Sequence, residues 1–100
     1  MNDVNLVKEI LLRHRGRNNA IKSKEISALL GLPLEDTQAV TRSLIRRVSE
    51  MLPVVSCYDG YFIPENEIEL GMYNKEMQRR IDGIKHRMIK TNENYKNWVD

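Results

Sequence analysis

Hydrophobic residues in the opening segment of the chain recur with the period of a helix. Between Asp3 and about Arg15 they follow one another at intervals of three, three and one, which places them on one helical face. These residues are Val4, Val7, Ile10 and Leu11. Gly16 is a suitable C-terminal stop, and Asn2 or Asp3 can cap the first turn. The pattern predicts a first helix from Asp3 to about Arg15.

A second, shorter helix is predicted after the polar link RGRNN. Ser23 is suited to cap it, because its hydroxyl can accept a hydrogen bond from a free amide of the first turn. Gly31 can close the helix in a left-handed conformation. The apolar face of this helix comprises Ile26, Leu29 and Leu30. Between the two helices, the stretch AIK, with Ile21 at its centre, is interpreted as a short edge strand.

The next segment predicts a longer helix from about Leu34 to Met51. It begins directly after Pro33, which the first turn of a helix tolerates. Its apolar side comprises Val40, Leu44, Ile45, Val48 and Leu52, with Thr37 and Thr41 between them. Its opposite side comprises Glu35, Ala39, Arg42, Ser43, Arg46 and Glu50, flanked by Asp36 and Arg47. This division predicts one buried face and one charged face in contact with solvent.

The stretch from Pro53 to Pro64 predicts a small β-hairpin. The segments PVVSCY and YFIP have the composition of strands, and the Asp59-Gly60 pair between them permits the positive backbone angles of a two-residue turn. Both prolines lie at strand ends, where a missing amide hydrogen does little harm. The aromatic residues around the turn are predicted to pack the sheet rather than to stack on bases. They are Tyr58, Tyr61 and Phe62.

A long helix is predicted after the hairpin. Asn66 and Glu69 have the spacing of a capping box at its start. We expect it to span residues 66–90 and a frayed polar tail to follow over residues 91–100. Its apolar stripe comprises Leu70, Tyr73, Met77, Ile81, Ile84 and Met88. Because a small core does not need six such residues, we expect the stripe to join two copies as a homodimer. The alternative is a helix folded back across its own domain.

The order of the predicted elements resembles that of the winged helix-turn-helix family: helix, short strand, helix, turn, helix and hairpin. The resemblance covers roughly residues 3–64, and VVSCYDGYFIP occupies the place of the wing. The segment KEISALLGLPLEDTQAVTRSLIRRV matches the family's usual apolar pattern at Ile26, Leu30, Leu32, Val40 and Leu44, with Gly31 in the turn. Ser27 stands where these motifs usually prefer Ala, and the wing tip, Asp59 and Gly60, has no basic residue.

The resemblance implies a mainly α fold with a small β-hairpin wing (α+β), followed by a long C-terminal helix. Residues 1–65 would form the winged domain, and the helix over residues 34–51 would enter the DNA major groove. GYFIP followed by a charged helix is similar to small winged-helix proteins of bacteriophages and prophages. We therefore expect a phage or prophage transcriptional regulator, or a replication accessory factor, that binds double-stranded DNA.

Charge is distributed unevenly along the chain, whose net charge is +2. Residues 1–50 contain nine Lys or Arg against six Asp or Glu, whereas residues 51–100 contain seven against eight. A planar guanidinium can bind the paired acceptors of guanine, and cations near a helix start can bind phosphate. The predicted DNA-binding residues are Lys22, Ser23, Lys24, Gln38, Ala39, Arg42, Ser43, Arg46 and Arg47. Arg13, Arg15 and Arg17 would extend the phosphate-binding flank.

Two alternatives to DNA binding stay open. The arginines of the third helix can form an ordinary solvated face, with Arg46 paired to Glu50 one turn later. Winged helices also serve as protein-interaction modules without DNA binding.

The sequence gives little support to catalysis. It has no phosphate-binding glycine loop and no nucleophile beside a general base, and nothing around Cys57 resembles a metal-ligand cluster. We therefore expect no enzymatic activity, no cofactor and no metal. No stretch has the length and hydropathy of a membrane span or the pattern of a signal peptide, which favours a cytoplasmic protein.

Overall fold

The computed structural model describes residues 2–32 and 37–99, and within them it contains four α-helices and one antiparallel hairpin. The helices are α1 (Asp3–Leu12), α2 (Ser23–Leu29), α3 (Thr37–Ser49) and α4 (Glu67–Trp98). A short 3-10 helix, Arg17–Asn19, precedes α2, and the hairpin consists of β1 (Val55–Cys57) and β2 (Gly60–Phe62). The chain forms two compact units, Met1–Leu70 and Gly71–Asp100. The predicted mainly helical chain with a hairpin and a long C-terminal helix is confirmed.

The N-terminal unit is built around one hydrophobic core. Its buried members are Val7, Leu11, Ile21, Ile26, Leu44, Ile45, Val48 and Ile63. They come from α1, from the segment before α2, from α2, from α3 and from the residue after β2, so no element could bury its apolar face alone. Truncating one such aliphatic residue to Ala would cost about 2–5 kcal/mol of folding free energy.

The first helix begins where the sequence predicted and ends earlier. Asn2 caps α1, since its side chain accepts a hydrogen bond from the Asn5 amide at 2.9 Å. The helix ends at Leu12 rather than near Arg15. The reason is a backbone pairing with the segment after β2. The Ile63 amide donates to the carbonyl oxygen of His14 at 2.9 Å, and the Gly16 amide donates to the carbonyl oxygen of Ile63 at 2.8 Å. These bonds require extended rather than helical chain.

The start and the buried face of α2 differ from the sequence prediction. Lys22 occupies the cap position without a side-chain bond, and Ser23 is the first helical residue, so Ser23 is not the cap. Leu29 is 66% exposed. The core lies against Ile26 and Leu30, one turn apart, and Leu29 is rotated about 100° from Leu30 around the helix. Gly31 has a φ of 70°, which confirms the predicted left-handed stop.

On α3, the predicted apolar side is correct except at its N-terminal end. Leu44, Ile45 and Val48 are buried, whereas Val40 is 47% exposed and Thr41 is fully buried. Thr41 lies two helical turns before Val48, directly on the line of the buried face, and Val40 lies at its edge. The predicted helix start, with Pro33, Leu34, Glu35 and Asp36, falls outside the described residues. The helix ends at Ser49, two residues before the predicted Met51.

The hairpin forms one residue earlier in the sequence than predicted. Cys57 pairs with Gly60, so the two turn residues are Tyr58 and Asp59 rather than Asp59 and Gly60. As a result Tyr58 projects from the turn and is 93% exposed, so the expectation that it packs the sheet is wrong. Phe62 is buried, and Tyr61 packs half-buried against the core, as predicted for both.

The predicted edge strand before α2 is reduced to a single bridge. Ile21 pairs with Tyr61 through two backbone hydrogen bonds of 2.9 and 2.7 Å. Gly60 has a φ of 127°, and a Cβ at this position would collide with the carbonyl oxygen of Ile21 and lie 2.9 Å from the Lys22 amide nitrogen. Glycine is therefore required at residue 60 both by its backbone angle and by the close approach of the neighbouring chain.

The start of α4 is tied to the loop before α2. Asn66 accepts a hydrogen bond from the Glu69 amide at 3.0 Å, which confirms half of the predicted capping box. The Glu69 carboxylate binds elsewhere: it accepts from the Glu65 amide at 2.8 Å and from the Arg17 amide at 3.0 Å. Both bonds favour the charged carboxylate, with the Arg17 amide as the larger cause, and they lower the pKa of Glu69 below its ordinary value of 4.5.

The last helix continues past the predicted end at residue 90 and reaches Trp98. Residues 91–98 contain neither Gly nor Pro, so nothing in the sequence interrupts the helix. Local contacts support it, since the Asn92 side-chain amide donates to the Met88 carbonyl oxygen at 2.8 Å. Across residues 2–32 and 37–99, no helix combines the length and the hydropathy needed to span a bilayer.

Candidate nucleic-acid interface

The outward face of α3 carries the largest group of predicted DNA-binding residues. All of those on α3 are exposed, while Thr41, Leu44 and Val48 on the opposite side are buried. The exposed residues are Gln38, Ala39, Arg42, Ser43, Arg46 and Arg47. The helix therefore presents three guanidinium groups, one amide, one hydroxyl and one methyl group to solvent, while its opposite side is packed in the core.

One pair of these side chains is already oriented within the helix. The Arg42 guanidinium donates through Nη2 to Gln38 Oε1 at 2.9 Å. A guanidinium has five N–H donors, so Arg42 retains donors for a ligand, and the amide nitrogen of Gln38 is also left as a donor. The bond limits the rotamers of Arg42 and reduces the side-chain entropy that binding would have to overcome.

The contacts contradict one part of the solvated-face alternative, the ion pair that it assigned to Arg46 and Glu50, and leave the exposed arginines consistent with it. Arg46 and Glu50 form no ion pair, and Lys90 with Glu93, at 3.3 Å, is the one ion pair among residues 2–32 and 37–99. The Arg46 backbone carbonyl oxygen instead accepts from the Ser49 hydroxyl at 2.6 Å. The charges of Arg42, Arg46 and Arg47 are thus not compensated by carboxylates within the described part of the chain.

A buried polar contact that the sequence did not reveal holds α3 against α2. Ser27 and Thr41 form a hydroxyl–hydroxyl bond of 2.6 Å in the interior. The Ser27 hydroxyl donates its one proton to the Ser23 carbonyl oxygen at 2.9 Å, so Thr41 must be the donor to Ser27. No buried side-chain polar atom lacks a partner in the described residues. The signal in the sequence was a Thr on the line of the apolar face of α3.

The predicted phosphate-binding residues at the start of α2 differ in their exposure to solvent. Lys22 and Lys24 are exposed, whereas Ser23 is half-buried and its carbonyl oxygen is occupied by Ser27. The Lys22 backbone lies against Gly60, which brings this lysine beside the hairpin turn. Arg13, Arg15 and Arg17 are exposed on the segment before α2. The backbone pairing of Ile21 with Tyr61 thus connects a cationic segment to the hairpin.

The overall charge of the N-terminal unit does not favour DNA binding by itself. Residues 1–70 contain nine basic and ten acidic residues, whereas residues 71–100 contain seven basic and four acidic residues. Any affinity of the N-terminal unit for phosphate must therefore come from the local arrangement of its cations rather than from its net charge.

No family model, curated protein or solved structure matches this chain. Among the described residues there is no group of three or more His, Cys, Asp and Glu placed to hold a metal ion. The features of the chain that bear on function are the exposed face of α3, its packing against α2 and the neighbouring cations.

Proposed function

We propose that this protein binds double-stranded DNA through α3, as a winged helix-turn-helix protein. The observation that carries the proposal is the exposed face of α3, where three arginines that have no carboxylate partner among residues 2–32 and 37–99 project from a helix whose other side is buried. The element order supports the fold assignment: α1, the Ile21 bridge, α2, a turn through Gly31, α3 and a hairpin. In such folds the second helix of the pair enters the major groove.

The chemistry of the face fits base edges. Arg42 and Arg46 lie one turn apart, and each guanidinium can donate two parallel bonds to guanine O6 and N7. Gln38 can pair with adenine, and the Ala39 methyl group can contact the methyl group of thymine. Lys22 and Lys24 would bind phosphates and fix the position of the protein without reading sequence. A phage or prophage transcriptional regulator or replication accessory factor would use such a face.

A homodimer is part of the same proposal. The apolar residues of α4 that the sequence assigned to self-association are exposed or half-buried in the chain, so they are accessible to a partner. Two copies joined in this way would place two reading helices on a site with two-fold symmetry.

The test is fluorescence anisotropy with a mixed-sequence duplex at about 50 and about 200 mM salt. We expect affinity to fall about tenfold or more over this range, because each phosphate contact releases condensed counterions. The Arg42→Ala/Arg46→Ala variant should bind at least about tenfold more weakly. Lys75→Ala/Lys96→Ala, which removes the same charge from α4, is the matched control and should bind nearly as tightly as the parent chain.

One observation favours a second candidate, a winged-helix protein-interaction module. The N-terminal unit carries one more acidic than basic residue, which is unusual for a domain that relies on phosphate contacts. This candidate predicts that the parent chain, the Arg42→Ala/Arg46→Ala variant and the lysine control show no measurable DNA affinity even at about 50 mM salt. Circular dichroism must show that all three proteins are folded. Absence of affinity in the folded proteins would refute DNA binding.

A further inference from the structure

The apolar stripe of α4 is defined by Leu70, Tyr73, Met77, Ile81, Ile84 and Met88, and the spacing of its first five residues reads the same in both directions. From Leu70 to Ile84 the intervals are three, four, four and three residues, with Met77 at the centre. These residues line one side of a continuous helix. Two such helices running in opposite directions would therefore set each of these five stripe residues against a stripe residue of the other copy.

Charged residues along the two edges of the stripe follow a matching pattern. Glu67 and Lys85 are separated by about five full turns, so they lie on the same edge. Glu76 and Arg80 lie one turn apart on the other edge. None of the four takes part in an ion pair within the described residues, so each is available to an oppositely charged group.

We propose that two copies of the chain pair through α4 in antiparallel orientation, centred on Met77. In an antiparallel helix pair each edge faces the same edge of the other helix. Glu67 then meets the partner's Lys85, and Glu76 meets the partner's Arg80. The two-fold axis repeats both contacts, which gives four attractive pairs. Charged residues at these edges decide partner and orientation in helix pairs.

A parallel pair in register would be disfavoured by the same residues. Each edge would then face the opposite edge of the other helix. A residue on the edge of Glu76 and Arg80 would meet the partner's residue five positions later in the sequence. Arg80 would face the partner's Lys85, and symmetry would repeat this repulsion. The charges thus distinguish the two orientations, although the apolar stripe alone permits both.

The orientation has a consequence for DNA that rests on the proposed function. Glu67 lies ten residues before the centre, so the two α4 helices would begin about 30 Å apart along the pair. The two N-terminal units would therefore be attached at opposite ends of the pair, as a DNA site with two-fold symmetry requires.

Sedimentation equilibrium of the full chain in about 50 mM salt, without DNA, tests the orientation. Lys85→Glu should weaken dimerisation about tenfold, because both Glu67–Lys85 contacts become repulsive. Adding Glu67→Lys to that variant should restore most of the affinity. Lys75→Glu, the same charge change on the opposite face of α4, is the matched control. A Lys85→Glu variant that dimerises more tightly than the parent chain would indicate a parallel pair and overturn the proposal. A parent chain that is monomeric at about 100 µM would overturn it as well.

Disulfide formation provides a second readout in a Cys57→Ser background. Ile84→Cys alone should remain uncrosslinked, whereas a mixture with a larger, tagged Leu70→Cys chain should give the mixed disulfide. Met77→Cys should crosslink with itself and serves as the positive control. Efficient self-crosslinking of Ile84→Cys would refute the antiparallel arrangement. Because neither experiment contains DNA, failure of the dimer and failure of DNA binding are separate outcomes.

Discussion

The buried bond between Ser27 and Thr41 allows a sharp test of what holds α3 in place. Ser27→Ala leaves the Thr41 hydroxyl, which is fully buried, without its acceptor. An unsatisfied buried donor costs about 1–3 kcal/mol. Ala is a better helix former than Ser by about 0.5 kcal/mol, which offsets part of that cost. We therefore expect Ser27→Ala to lower the free energy of unfolding by about 0.5–2.5 kcal/mol.

Thr41→Val removes the other side of the same bond at nearly constant side-chain volume. Ser27 keeps its bond to the Ser23 carbonyl oxygen and loses only a donor to its own oxygen, so the cost should be about 1 kcal/mol. In the double variant no buried hydroxyl is left without a partner. Its destabilisation should therefore fall short of the summed single effects by about 1 kcal/mol.

Urea unfolding followed by circular dichroism at 222 nm measures these differences. Ser49→Ala is the matched control, because Ser49 makes an equally short bond, 2.6 Å, to the Arg46 carbonyl oxygen on the exposed surface. Its effect should stay within about 0.5 kcal/mol. Single effects that add fully in the double variant would show that the hydroxyls are not coupled, and the account of α2–α3 packing would then be wrong.

Two further predictions concern the ties between loops and helices. The lowered pKa of Glu69 means that its stabilising effect is present above its ordinary pKa of 4.5 and is lost as pH falls through the lowered value. The free energy of unfolding, measured with urea at pH 7 and pH 3, should therefore depend less on pH for Glu69→Gln than for the parent chain. Glu50→Gln is the control and should behave like the parent chain. An equal pH dependence in all three proteins would contradict a stabilising role of the Glu69 carboxylate. Gly60→Ala should lower the free energy of unfolding by about 2 kcal/mol or more, because a positive φ is combined with a steric collision. Gly31→Ala should lower it by about 1 kcal/mol, because Gly31 has a φ of 70° but open space around it. Similar losses of stability for the two variants in thermal unfolding would exclude the steric contribution.

The elements of this fold were predictable where periodicity extends over several turns. Leu44, Ile45 and Val48 recur over enough residues to identify the buried face of α3, and Asn66 marked the start of α4 correctly. The errors lie where a tertiary contact decides. Helix α1 ends at Leu12 because the following residues pair with Ile63, which is about fifty positions away in the sequence and invisible to a local pattern.

The candidate site shows the same division between local and tertiary information. Helical period alone predicted that Arg42 and Arg46 would be exposed, because solvent exposure follows from the position of the apolar stripe. It could not predict the partners of polar groups, since these depend on which elements meet. Thr41 looked like an interruption of the apolar face and is instead the donor that joins α3 to α2. Glu69 had the spacing of a capping box, but its carboxylate binds the Arg17 amide, 52 residues away in the sequence. The exposed face of α3 is thus defined by the sequence of that helix, whereas the residues that hold the helix in position come from elements that only the folded chain brings together.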